Sequence, residues 1–501
     1  MNSEPPAQPW PAQRQVTSAR RGHILTNTGV WSPDGQWIVY DTRSDAAGEV
    51  FDGLTIEMVH ARTGETRELY RAGRGAHCGV ATFHPRERRV VFILGPENPT
   101  PEWQYGPAHR QGVRVDIDSP GLARNLDARD LTPPFTPGAL RGGSHVHVWD
   151  ARGEWVSFTY EDAVLSDSPA AGPGNDTRQR NIGVSVPEVP VTVGRGHPRN
   201  QDGACFSVLV TRTVARPRPG SDEIQRACEE GWIGADGYLR ADGSRQRRAL
   251  AFQGQVVTGN GQAISEVFVA DLPDDLSRAG SGPLCGTATR APYPPAGVAR
   301  RRLTFTAGRR FPGLSGPRHW LRSSPDGSRI AFLMKDDDGV AQLWTISSRG
   351  GEPRPLTRNP WPVASAFSWS LDGRFIAHVM DDSVCVTDAV SGATRRLTAR
   401  VDGEGAPRPE ACVFSPDGRE IAFVRRGRDE AEWFNQIFVV DAPSAFAIGG
   451  GAERPVQAVG ENLVIGRGVR AVGAAQNPDT ICPRFGNEDV SVGRHAQQSR
   501  G

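Results

Sequence analysis

Lysine is almost absent from this chain. Of its 58 basic residues only Lys335 is not arginine, and 57 acids balance them to a formal net charge of +1. The arginines are scattered singly or in pairs. No basic stripe interleaved with aromatics argues for a nucleic-acid partner, and the arginine excess reads as the codon bias of a GC-rich genome. The seven cysteines, Cys78, Cys205, Cys228, Cys285, Cys385, Cys412 and Cys482, are odd in number and none sit at C-x-x-C spacing, which argues against a disulfide framework or a cysteine zinc site. No apolar run approaches the ~18 residues of a membrane span. The opening "MNSEPPAQPWPAQRQVTSARRGH" has no apolar core of the secretory type, so the expected compartment is the cytoplasm, with the periplasm as the alternative. There is no G-x-S-x-G elbow, no Walker A loop and no G-x-G-x-x-G between a strand and a helix, which excludes the common hydrolase and nucleotide-binding signatures.

Glycine (58) and proline (40) are plentiful, so turns are frequent and long helices are not expected. Their placement is periodic. "SSPDGSRIAFLMKDDDGVAQLWTISSRGGEPRPLT" from Ser323 and "WSLDGRFIAHVMDDSVCVTDAVSGATRRLT" from Trp369 divide alike: a short strand, an S-x-D-G turn, an apolar strand, a polar loop, a third strand, a glycine turn and a fourth strand ending in "LT". In that turn Asp bonds back to nearby backbone and Gly accepts positive φ. Asp326, Asp372 and Asp417 follow one another at 46 and 45 residues, the period of a four-stranded propeller blade.

Related units begin at Trp31, Phe83, Trp149 and Phe414. A degenerate middle unit can be drawn from "ACFSVLVTRT", "RALAFQGQVV", "SEVFVADL" and "RRLTFT". The expected architecture is an all-β seven-bladed propeller over residues 14–442, or six blades if the middle unit is not one. Insertions are expected near 166–180, 214–247 and 272–299. Arg14–Ser18 echoes an outer strand and is expected to complete the last blade and close the ring. Residues 1–13 and 443–501 read as disordered, the latter from its Gly/Ala/Arg-rich composition.

"WSPDGQWIVYDTR", "SSPDGSRIAFL" and "FSPDGREIAFV" resemble the PD40-type blade repeats of TolB-like propellers. "HILTNTGVWSPDGQWIVYD", "GAHCGVATFHP", "LRGGSHVHV", "EEGWIG" and "PRHWLRSSPDG" resemble more closely the YidR-type proteins, a bacterial propeller family without an established biochemical activity. The resemblance implies a propeller that binds a protein or a small ligand at one mouth of its channel.

Aligned on the residue before each turn, the positions four upstream are Asn27, Gly79, His145, His319, Ser365 and Glu410. Alternation adds His147 below His145 and His77 above Gly79. His77, His145, His147, His319 and Glu410 are thus candidates for a divalent Mn, Fe or Zn site, and Arg141, Arg318 and Asn27 for holding an anionic ligand. "SHVHVWDARGEWVSFTYED" is similar in kind to the His-headed inner strands of oligogalacturonate lyases, TolB-like propellers with a His-rich metal site. That likeness implies an alternative activity, a metal-dependent lyase or hydrolase acting on an anionic carbohydrate. Other features read as structural: His84 and His23 as satisfied polar residues, the four turn aspartates as turn formers, and Asp336–Asp338 as a solvated hairpin loop. "SDEIQRACEEGW" reads as an ordinary insertion, with a lid in which Trp232 and the acids cover the mouth as the alternative.

Overall fold

The computed structural model describes residues 10–442 apart from residues 27, 47, 167–178, 318, 411, 430 and 431. The expected tail at 443–501, most of the expected N-terminal disorder and most of the polar loop at 166–180 therefore lie outside the described residues. Seven four-stranded antiparallel sheets are arranged as the blades of a ring. Their inner strands are Gly22–Ile24, Cys78–Phe83, Gly142–Trp149, Arg226–Trp232, Arg322–Ser323, Ser368–Trp369 and Val413–Phe414, here blades 1 to 7. Among the described residues no helix is long and apolar enough to cross a membrane.

Alternation along each strand gives every sheet two apolar faces, and these meet the faces of both neighbours. The core is consequently a set of inter-blade layers rather than one centre. Val39, Ile56 and Met58 of blade 1 pack with Val90 and Phe92 of blade 2. Ile182 and Val184 of blade 3 meet Phe252 and Phe268 of blade 4. Phe375 and Val386 of blade 6 meet Phe423 and Phe438 of blade 7.

The S-x-D-G turns behave as their residues dictate. Asp372 Oδ1 accepts from Ser370 Oγ (2.6 Å) and Arg374 N (3.0 Å), and Asp417 Oδ1 from Ser415 Oγ (2.6 Å) and Arg419 N (3.0 Å). Gly373 and Gly418 take φ of 70° and 71°. These carboxylates are used up in turn formation. His84 does the same work in blade 2: its Nδ1 accepts from Arg86 N and Glu87 N, at 3.1 and 2.8 Å.

The last blade closes as expected. Gln13–Gln15 pairs antiparallel with Glu432–Asp441 and forms the outer strand of blade 7.

The middle of the chain differs from the sequence reading. Gly203–Leu209, expected within the middle unit, is the outer strand of blade 3. The inner strand of blade 4 is Arg226–Trp232, within the segment read as an insertion. Trp232 is no lid: its indole Nε1 donates to Val148 O (2.9 Å) on the inner strand of blade 3. Two acids and a bulge interrupt the apolar alternation of this strand, so it did not look like one. Gly231 is required there, because a Cβ would lie 2.1 Å from Leu321 O of blade 5.

Candidate functional site

In each blade the inner strand begins at one face of the ring, called top here, and ends on the bottom face, where the chain turns toward the second strand. The loops joining second to third strands return to the top. With blade 4 correctly placed, the aligned top position in that blade is Cys228, four residues before Trp232.

Three consecutive inner strands share one distortion. Register breaks between Gly79 and Thr82, between His145 and Val148, and between Cys228 and Gly231. At each break one non-glycine residue adopts positive φ: Val80 (59°), Val146 (58°) and Glu229 (55°). These are β-bulges, and a branched valine in the left-handed region costs about 1–2 kcal/mol. Strain of this kind persists where surrounding structure over-determines it. At Val80 the cause is visible, because its N–H donates to Asp41 Oδ1 (2.9 Å), a buried carboxylate also held by Arg43 Nε (2.8 Å).

The bulges also re-aim the histidines. His145 lies opposite Thr159, so both side chains share a face. Thr159 Oγ1 donates to Glu230 Oε2 (2.9 Å), which makes that the blade 4 face. His147 turns the other way, toward blade 2. Its Nε2 is 3.1 Å from Ser144 Oγ and 3.6 Å from Asp127 Oδ2. Ser144 spends its proton on Asp127 (2.6 Å), so His147 Nε2 is the donor. The expected alignment of His145 above His147 therefore does not occur, since an extra residue at Val146 shifts the alternation.

The other sequence candidates fall as follows. His319 is a satisfied core residue: Nδ1–H donates to Pro317 O (3.0 Å) and Nε2 accepts from Leu333 N (3.2 Å). Burial lowers its pKa to about 4, so the ring is neutral with both nitrogens engaged. Arg141 is fully buried and occupied, with its guanidinium bound to Asp162 (2.7 Å) and to the Thr287 and Arg290 carbonyls, over the Phe135 ring. It anchors the 272–299 insertion instead of awaiting a ligand. Glu410 is half-buried and its carboxyl is pushed above the usual range by burial, which Arg408 partly offsets. Glu410 Oε2 has no protein hydrogen-bond partner. Asn27 and Arg318 lie outside the described residues. Among the described residues no three His, Cys, Asp or Glu side chains gather in a way that could hold a metal ion, so His77, His145, His147, His319 and Glu410 do not form the expected ring.

His77 has a different setting. It lines a top-face cavity of about 370 Å³ at blade 2. Pro96, Pro99, Pro101 and Tyr105 form rigid apolar walls, while Thr100 and Gln104 add polar groups. His77 Nδ1 is shielded from solvent and has no hydrogen-bond partner among the described residues. Phe51 of blade 1 stacks on Tyr105, with ring centroids 4.7 Å apart, and Arg43 lies over Phe51, which ties the pocket to the Asp41–Arg43 pair.

A second polar group escaped the sequence reading because its strand was misplaced. Glu230 is completely buried, and burial pushes its carboxyl up to about 7. Arg322 of blade 5 is lowered to about 10 by burial, against the pull of Glu230 and Glu229. The consequence for stability has a definite sign. Glu230 binds its proton more tightly folded than unfolded, so its contribution is present at low pH and fades as pH rises from about 4.5 to 7. Glu230→Gln is therefore expected to gain up to about 3 kcal/mol over wild type at pH 8 and little at pH 4.5. Urea unfolding at the two pH values measures this, and an equal difference at both would contradict the assignment.

The fold defines a seven-bladed β-propeller whose inner strands carry the polar groups. Comparison then places the chain. It is 47% identical over 421 residues to the uncharacterized protein YidR of Escherichia coli strain K12, covering 83% of this chain and 96% of that protein, and it belongs to that family. Residues 77–201, which include the His145 strand and every residue lining the blade 2 pocket except Gly75, match the family model described as a protein of unknown function (DUF3748). Among solved structures, an oligogalacturonate lyase from Vibrio parahaemolyticus shares the fold at a TM-score of 0.50 and 10% identity, covering 87% of this chain and 94% of that one. A putative TolB from Agrobacterium tumefaciens aligns at a TM-score of 0.36 and 14% identity, over 78% of this chain and 98% of that one.

Proposed function

We propose that this protein is a binding propeller that takes a small ring-shaped polar ligand in the blade 2 pocket at its top mouth. The observation that carries the reading is a cavity of about 370 Å³ lined by His77, with a ring nitrogen that no protein group satisfies. Apolar walls with a few convergent polar groups are the usual make-up of a small-molecule site. Prolines and Tyr105 suit the C–H face of a sugar-like or heterocyclic ring. His77, Thr100 and Gln104 suit its hydroxyl or amide edge. All of the pocket's lining but Gly75 lies inside the stretch that matches the family model, which supports a role for it beyond this one chain.

The test is a thermal-shift screen of the full chain against neutral sugars, uronic acids and heterocycles. A true ligand at a hundredfold excess over its Kd should stabilise by about 2.7 kcal/mol. That stabilisation should vanish in His77→Ala and survive in Arg152→Ala, a change on the bottom face. No hit in wild type, or a hit indifferent to His77→Ala, would refute the reading.

A further inference from the structure

The corner where blades 3, 4 and 5 meet holds an arginine with an unused recognition edge. Arg322 follows Leu321, whose N–H donates to Glu229 O (3.0 Å) at the blade 4 bulge. That bond and the bare backbone at Gly231 bring the guanidinium across to blade 4. A Cβ at Gly231 would lie 3.0 Å from Arg322 Nη1. Nη1 faces the neighbouring Leu321 carbonyl at 3.4 Å. Nε and Nη2 are shielded from solvent and have no acceptor among the described residues. These two N–H groups form the side-on edge of the guanidinium, which takes a carboxylate through two parallel hydrogen bonds. Leaving them unmade is costly in a shielded place.

The acids nearby do not fill that edge. Glu229 and Glu230 feel Arg322 electrostatically, yet neither takes a hydrogen bond from its Nε or Nη2. Glu230 instead accepts from Thr159 through Oε2, and its Oε1 has no protein partner.

We propose that this corner of the channel wall is a carboxylate-binding site, in which Nε and Nη2 of Arg322 grip the ligand and Glu230 makes the grip pH-dependent. The groups facing Glu230 are Arg322 from blade 5, Thr159 with His145 opposite it from blade 3, and Glu229 and Cys228 on its own strand. An anion at Arg322 favours the protonated form of Glu230, so binding takes up a proton and weakens as Glu230 ionises. The site is distinct from the blade 2 pocket and does not depend on it.

The experiment is calorimetric titration of the full chain with oxalate, which stays fully ionised between pH 6 and pH 8. Wild type should bind several-fold more tightly at pH 6. Arg322→Met should abolish binding. Arg322→Lys, which keeps the charge without the fork, should weaken it at least tenfold and serves if the methionine variant fails to fold. Glu230→Gln should bind at both pH values with no step between them, and Arg152→Ala, on the bottom face, should match wild type. Absence of oxalate binding in wild type, or binding unchanged in both Arg322 variants, would overturn the proposal. Equal binding of inorganic phosphate would overturn the assignment to carboxylates.

Discussion

Removal of residues 1–17 should leave a chain that no longer folds cooperatively. Those residues include the outer strand of blade 7, the element that joins the two ends of the ring. Gln13, Arg14 and Gln15 pair with Val440, Val439 and Phe438, and Val16 N donates to Ile437 O (2.9 Å). Thr17 Oγ1 donates to Gln436 Oε1 (2.7 Å) and accepts from Ile437 N (2.9 Å). Arg14 reaches Glu420 within the blade (2.6 Å) and the Ala61 carbonyl of blade 1 (2.9 Å). Val16 is buried in the layer between blades 7 and 1, with Val30, Trp31 and Val439.

At about 1 kcal/mol per net hydrogen bond and about 1.5 kcal/mol for the buried valine, the direct loss is about 5–10 kcal/mol, comparable to the whole stability of many domains. The truncation would also uncover Glu432–Asp441 as a long apolar edge, a template for aggregation. Size-exclusion chromatography should show aggregate where wild type runs as a defined species. A truncated chain with the wild-type urea midpoint would show that closure lies elsewhere.

Arg141→Ala should cost about 3–5 kcal/mol, the range for breaking a buried ion pair from one side. Arg141 has no exposure, and its Asp162 partner is 8% exposed. Nε and Nη2 both donate to Asp162 Oδ2, at 3.2 and 2.7 Å. The alanine variant leaves that carboxylate with only Tyr160 Oη (3.0 Å) on the same oxygen and Leu165 N on the other. It also frees the Thr287 and Arg290 carbonyls and so loosens the 272–299 insertion. Adding Asp162→Asn should recover a substantial part of the loss, because the stranded charge is then gone. The readout is the urea midpoint of both single variants and the double variant. A loss below about 1 kcal/mol for Arg141→Ala would mean that the arginine is dispensable to the fold and would reopen it as a ligand-binding residue.

How far the sequence could be read depended on how local the interaction was. Asp372 and Asp417 bond to atoms two residues away, so each turn is visible in four letters. The failure at Arg226–Trp232 came where a bulge and two acids disrupted the alternation that marks a strand. The histidines failed for another reason. His145 and His147 look like a ladder on paper, but one residue at positive φ between them sends them to opposite faces. His319 looks like a free imidazole until Leu333 N, 14 residues away, is seen to donate to it. Arg141 looks like a substrate clamp until Asp162 and the carbonyl of residue 287 take up its donors.

The sequence by itself determined the blade repeat, the turns between strands and the closing strand, because short-range backbone chemistry and residue periodicity set all three. Only the tertiary structure decided which polar side chains are spent and which are spare. Hydrogen-bond satisfaction depends on partners brought together from different blades, and burial then sets what each unsatisfied group costs. By that measure His77 and Arg322 stand out, one at the top-face pocket and the other at an inter-blade corner of the channel wall.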